Sequence, residues 1–185
     1  AIHVAESEAE ERFVRDGTGP FAEFLVGRGI HVPPRGVGPV ALLEGTGMLR
    51  PRTLLIHCVR ATDDDVARIA ASGCGVAHCP ASNAKLGHGT APLREFLAAG
   101  ARIGLGTDSM ASNDAMDLLG EARLAVLAQR ARTHRADVPT ARAALRLATL
   151  GGAEALRLDD AIGSLVPGKQ ADLAAFRLDA LGAPV

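Results

Sequence analysis

The residues that could carry chemistry recur at one kind of position. His3, His57 and His78 each lie at the end of a short apolar segment, and Asp108 stands just past a fourth, Arg102–Gly106. Glu6 follows His3 by three residues. A single histidine on an apolar segment is ordinarily a hydrogen-bonded core residue. Four polar groups at the same end of four such segments make coincidence a poor account. Imidazole and carboxylate together suit Zn²⁺ or a similar divalent ion, which lowers the pKa of bound water towards about 7. A further carboxylate can move protons between that water and a leaving group. His3 and Asp108 are therefore expected as metal ligands, and Glu6 and His57 as proton handlers. Catalytic zinc normally takes three protein ligands, so the set is incomplete; in a histidine-rich site with four protein ligands, two are unaccounted for.

The elements that must position these groups alternate. Strands are expected over 1–5, 53–57, 75–79, 102–106 and 172–178. Helices are expected over 7–16, 19–29, 39–45, 62–72, 90–99, 114–131, 139–149 and 151–158, with residues 31–39 (HVPPRGVGP) as loop. Thr18 is placed to cap the second helix, and Thr62 with Asp63, Asp64 and Asp65 starts the fourth, where the helix dipole favours carboxylates. Strands alternating with helices imply parallel βα units. The groups at the strand ends are 54, 21 and 30 residues apart. A βα unit needs about 30 residues, so these gaps fit single units, one of them enlarged by a long loop. Four such units make half of a (β/α)8 barrel, whose active site gathers at the C-terminal strand ends. The expected fold class is thus α/β, the C-terminal half of a (β/α)8 TIM barrel (strands five to eight with their helices), with a tail strand returning to a small β-sandwich domain. The expected division is 1–160 for the barrel half and 161–185 for the tail. The chain opens inside a strand without an initiator methionine, and is expected to be an excerpt of a longer protein.

Composition narrows the function classes. The 185 residues are 48% hydrophobic with a net charge of −1, enough apolar material for one sizeable core. Twenty Lys and Arg are offset by 21 Asp and Glu, which speaks against a nucleic-acid partner. Aromatics are only 3%, so base-stacking platforms are not expected either. No apolar run reaches the roughly 20 residues that span a bilayer, and no membrane partner is expected. Three cysteines, Cys58, Cys74 and Cys79, fit no disulfide framework. They read as buried thiols on strands in a cytoplasmic protein.

The segments His3-Val4-Ala5-Glu6, Leu55-Ile56-His57-Cys58-Val59, Ala77 to Leu86 (AHCPASNAKL) and Gly106-Thr107-Asp108-Ser109 resemble the amidohydrolase superfamily. They are similar to the branch holding S-adenosylhomocysteine/methylthioadenosine, guanine and aminodeoxyfutalosine deaminases and triazine hydrolases. Gly163 to Leu173 (GSLVPGKQADL) resembles that branch's return to its β-sandwich. The resemblance implies a hydrolase of carbon–nitrogen (non-peptide) bonds that deaminates an adenosine-like or other heterocycle by attack of metal-bound hydroxide. One divalent metal is implied, zinc first, with iron or manganese as substitutes, and the protein is expected to be a homo-oligomer. It implies His3 as the ligand after strand five and Asp108 as the ligand after strand eight. Glu6 would protonate the ring nitrogen, His57 would hydrogen-bond the hydroxide or tetrahedral intermediate, and Asp108 would carry the water proton to departing ammonia. The Ser82-Asn83 turn would brace the loops.

Two departures qualify the match. The superfamily's His-x-His pair is absent, since no two of the six histidines are two apart, and Arg60 stands where many relatives carry a second histidine. A competing reading is an inactive half-barrel or non-catalytic assembly module lacking those ligands. His31 and His134 are expected to face solvent, as is His88 between its two glycines, with lining the mouth of the site as its alternative. His78 is expected to serve the substrate side or brace the site.

Overall fold

The structure is a computed structural model in which residues 1–177 are described. Four strands, β1 (Ile2–Val4), β2 (Leu54–His57), β3 (Gly75–His78) and β4 (Arg102–Leu105), form one parallel sheet in chain order. The register pairs Val4 with His57 and His78 with Leu105, so all four C-terminal ends meet along one edge of the sheet. Four of the five expected strands are therefore present, each trimmed by a residue or two at its ends.

Ten helices are found among the described residues: α1 (Glu8–Asp16), α2 (Pro20–Val26), α3 (Pro39–Gly45), α4 (Asp63–Ser72), α5 (Pro80–Lys85), α6 (Leu93–Ala98), α7 (Met110–Asn113), α8 (Leu118–Thr133), α9 (Ala141–Leu147) and α10 (Leu150–Leu156). They neighbour one another in a series, α1 with α3, α3 with α4, α4 with α6, α6 with α8, α8 with α9 and α9 with α10. Between this layer and the sheet lies the core. Val4, Leu55, Val76 and Ile103 from the strands pack with Val40, Ile69, Leu93, Phe96, Ala125 and Leu147 from the helices, all buried. Such burial of aliphatic side chains is the main favourable term holding helices on a parallel sheet.

Glycine decides how closely the last helix can approach. A Cβ on Gly75 would sit 2.0 Å from the Ala155 carbonyl oxygen, and one on Gly104 would sit 2.4 Å from the Gly152 Cα. With hydrogen in both places, α10 lies directly on β3 and β4. Any side chain at either position would push α10 off the sheet.

Local signals explain most helix starts. At α4 the Thr62 hydroxyl accepts from the Asp65 amide at 3.2 Å, while the Asp65 carboxylate accepts from the Thr62 amide at 3.0 Å. The Asp63–Asp65 cluster is thus a capping box with an acidic first turn. The expectation for Thr18 is corrected. Gly19 is the N-cap of α2 and makes no side-chain cap bond, because Pro20 occupies the first helical position, where the missing amide would be unpaired anyway. The expected helix 114–131 starts later, as α8 at Leu118, and a separate short helix, α7, precedes it. Asp114 takes a left-handed backbone that ends α7, and Asp117 caps α8 by accepting from the Leu119 and Gly120 amides.

The tail departs from expectation most. Residues 172–177 form no strand and are exposed, and Leu178 lies outside the described residues. A strand exists only through a hydrogen-bonded neighbour, and no sheet edge among the described residues pairs with this segment. No helix among the described residues is long and apolar enough to cross a membrane.

Candidate active site

The turn after β1 presents His3 and Glu6 together. Glu10 accepts from the backbone amides of Ala5 at 2.9 Å and Glu6 at 2.7 Å, clamping the turn between strand and helix. Ser7 caps α1 by accepting from the Glu10 amide at 3.2 Å. The Ser7-x-x-Glu10 spacing is the sequence signal that could have singled out Glu10.

After β2, His57 is buried, and its Nδ1 lies 2.9 Å from Asn83 Oδ1. With that oxygen accepting, the proton sits on Nδ1 and Nε2 presents a lone pair. Nε2 has no hydrogen-bond partner among the described residues. It lies 3.5 Å from Glu6 Oε1. Asn83 belongs to α5, which begins immediately past β3 at Pro80. What the sequence suggested as a turn at Ser82-Asn83 is a helix whose two buried polar residues face two different strand ends.

Asp108 follows β4. Its Oδ2 accepts from the Ser82 hydroxyl at 2.7 Å and from the Ser112 hydroxyl at 2.5 Å. Oδ1 lies 3.9 Å from His3 Nε2. Partial burial pushes this carboxyl up, but the Ser112 and Ser82 hydroxyls and nearby His57 outweigh it and hold it below its ordinary value. Asp108 is thus held as a carboxylate with one oxygen committed to the protein and one facing the cleft.

The backbone around these side chains is unusual. Ala5, His57, Cys58 and Asp108 all have positive φ, between 48° and 74°, although none is glycine. Such conformations cost on the order of 1–3 kcal/mol each and gather at functional sites. Glu121 helps hold them. It is buried, and its carboxylate accepts from the Ala81 amide at 3.0 Å and from Asn113 Nδ2 at 2.5 Å, while Asn113 Nδ2 also reaches the Thr107 carbonyl at 2.5 Å. One carboxylate therefore ties α5, α7 and the β4 turn together.

The sequence-predicted residues accordingly converge. One ligating atom each of His3, His57 and Asp108 lie within 4.8 Å of one another, and Glu6 borders His57. Tetrahedral zinc with bonds of about 2.0–2.2 Å separates its ligand atoms by roughly 3.3 Å. His3 and Asp108 are thus within small side-chain rotations of sharing one ion, and the unpartnered Nε2 of buried His57 leaves a lone pair free beside it. These residues fit a divalent cation. His57, expected only as a proton handler, belongs to the same group of three.

His78 stands apart from the cluster. It is buried, and neither ring nitrogen has a hydrogen-bond partner among the described residues. Burial, with His57 nearby, pushes its pKa down from 6.5 to about 4. The fold therefore holds it neutral, and the unfolded chain binds the extra proton between pH 6.5 and 4. The resulting stability is complete above pH 6.5 and lost as pH falls towards 4. Unfolding free energy is expected to drop by about 2 kcal/mol between pH 7.5 and 5 from this group. Denaturant titrations of wild type and His78→Gln at the two pH values check this, the variant losing that share of the drop.

The other residues singled out sort simply. His31 and His134 are exposed as expected. His88 is not: its side chain is 23% exposed, and its Nε2 lies 3.4 Å from Glu6 Oε1. Arg60 is tied to α1, its Nε donating to Glu11 Oε2 at 2.7 Å. Cys58, Cys74 and Cys79 are free and buried. Burial pushes the Cys58 thiol up, and burial with Asp108 and Glu121 pushes Cys79 up to about 12, so neither supplies a thiolate near neutral pH.

Known proteins resemble this chain in sequence and in fold. Residues 1–184 match the amidohydrolase family. The 5-methylthioadenosine/S-adenosylhomocysteine deaminase of Moorella thermoacetica is 46% identical over 138 residues, covering 75% of this chain and 32% of the relative. The 8-oxoguanine deaminase of Pseudomonas aeruginosa is 47% identical over 146 residues, covering 79% of this chain and 32% of the relative. A crystal structure of an adenosine deaminase from Xanthomonas campestris with bound zinc superposes with a TM-score of 0.76 at 34% identity, covering 92% of this chain and 35% of that one. The chain spans about a third of the length of the relatives it matches. On the match along nearly its whole length, this chain belongs to the amidohydrolase family.

Proposed function

We propose that the full-length protein containing this chain is a metal-dependent hydrolase that deaminates an adenosine-like or other nitrogen heterocycle. The observation that carries the reading is the convergence of His3, His57 and Asp108 within 4.8 Å, with the Glu6 carboxylate 3.5 Å from His57 Nε2. The relatives named as deaminases support the reaction type. In this reading the sheet is half of a (β/α)8 barrel, and residues 161–185 are a tail leading back to a separate small β domain.

His3 and Asp108 would hold one divalent ion, zinc by the chemistry of the donors and the zinc-bound neighbour. When bound, that ion supplies Lewis acidity and lowers the pKa of a water towards about 7. The chain's own groups do the rest. Glu6 protonates a ring nitrogen of the substrate, which makes the carbon bearing the exocyclic amine electrophilic. His57 Nε2, held as an acceptor by Asn83, takes a hydrogen bond from the incoming oxygen and orients it. Asp108 Oδ1 takes the proton released as that oxygen bonds to carbon, while Oδ2 stays fixed by Ser82 and Ser112. Asp108 then passes the proton to the amine nitrogen, the carbon–nitrogen bond breaks to release ammonia, and the added oxygen returns its remaining proton to Glu6 as it becomes the product carbonyl.

The reading is tested by ammonia release from the full-length, zinc-loaded protein against adenosine analogues, oxopurines and aminotriazines. Turnover of at least one heterocycle is expected. No release from any of them overturns it.

A further inference from the structure

Two imidazoles, not one, converge on Glu6. His57 Nε2 lies 3.5 Å and His88 Nε2 3.4 Å from the same carboxylate oxygen, Oε1. A single residue sets both. Asn83 accepts His57 Nδ1 through its side chain at 2.9 Å, and its backbone carbonyl accepts from the His88 amide at 2.9 Å. His88 sits between Gly87 and Gly89, whose φ values of 70° and 104° turn the loop back over the strand ends. The contact crosses from the β3 side of the sheet to the turn after β1.

We propose that His88 is a positioning residue for Glu6: its Nε2–H donates to Oε1 and aims the other oxygen, Oε2, at the substrate's ring nitrogen. The inference rests on the deaminase reading for its kinetic consequence but not for its geometry. His57 Nε2, carrying a lone pair, cannot donate to Glu6. Without His88, Oε1 has no donor from another side chain among the described residues, and the carboxyl is free to rotate. A proton donor misdirected by rotation loses rate in the chemical step while substrate binding is little changed.

Two measurements test this in the full-length, zinc-loaded protein. His88→Ala is expected to lower kcat about 10- to 100-fold, with KM within about twofold, and His88→Gln, which restores an N–H at similar reach, is expected to recover most of it. An unchanged kcat in His88→Ala, or no recovery in His88→Gln, overturns the role. Independently of turnover, the His88 imidazole ¹⁵N shifts are expected to move in Glu6→Gln, and their invariance overturns the contact itself. If the wild type turns over no heterocycle, the deaminase reading fails and the ¹⁵N result alone decides whether His88 engages Glu6.

Discussion

Replacing Asp108 by Asn is expected to lower kcat/KM of the zinc-loaded protein by about 10³-fold or more, while the fold survives. The substitution keeps the shape of the side chain. Ser82 and Ser112 can still bond to it, by donating to the amide oxygen or accepting from the amide nitrogen. What is lost is the charge that faces His3 and the ability to hold a proton. A positioned proton-transfer group contributes about 10²–10⁴-fold, and weakened metal affinity adds to the loss. Steady-state kinetics at saturating zinc, with bound metal measured alongside, check this. A loss of under tenfold would show that Asp108 is not the proton carrier.

The second large effect is expected at Glu6. Glu6→Gln should reduce kcat about 10²–10⁴-fold with KM little altered. The turn that carries Glu6 is held by Glu10 through the Ala5 and Glu6 backbone amides, so the substitution leaves that clamp intact. Gln can still occupy the space beside His57 and His88, but it has no proton to give a ring nitrogen. The loss should therefore shrink for substrates whose ring is already cationic. Comparing a neutral heterocycle with its ring-N-methylated cation in wild type and variant separates this role from simple packing. Equal losses on the two would contradict it.

Much of this arrangement was legible in the sequence because strand ends announce themselves. His3, His57 and His78 close apolar runs, and Asp108 follows another, so parallel pairing alone brings them to one edge. The acidic start at Thr62 and the glycine stop at Gly73 likewise follow from caps that act locally. Of the residues that orient the site, Ser82 and Asn83 were flagged only through the family resemblance. The partners they hold, like the role of Glu121, were not legible, because these contacts act across distances the sequence does not reveal. Asn83 reaches His57 from 26 positions away, Ser82 reaches Asp108 from 26, and Glu121 reaches Ala81 from 40. His88 looked like a loop residue between glycines, and only the fold shows that those glycines turn it inward. The left-handed backbone at Ala5 and Cys58 had no signal either, and at His57 and Asp108 the signal was only the mild tolerance of His and Asp for such a conformation. The tail fails for the opposite reason. Residues 172–177 carry an apolar pattern suited to a strand, but pattern without a neighbouring edge makes no ladder.

The arrangement also explains why this cleft is built from so many backbone exceptions. Each strand must end abruptly so that the next residues turn side chains over the sheet edge. The cost is met by hydrogen bonds from Glu10, Asn83, Ser82, Ser112 and Glu121, which over-determine the turns.

The central claim is that His3 and Asp108 face one divalent ion. An anomalous-difference map of full-length, zinc-loaded crystals, collected at the zinc absorption edge, tests it most directly. One peak within about 2.0–2.2 Å of a His3 ring nitrogen and an Asp108 carboxylate oxygen is the predicted result. A peak elsewhere, with those two side chains unligated, would contradict it.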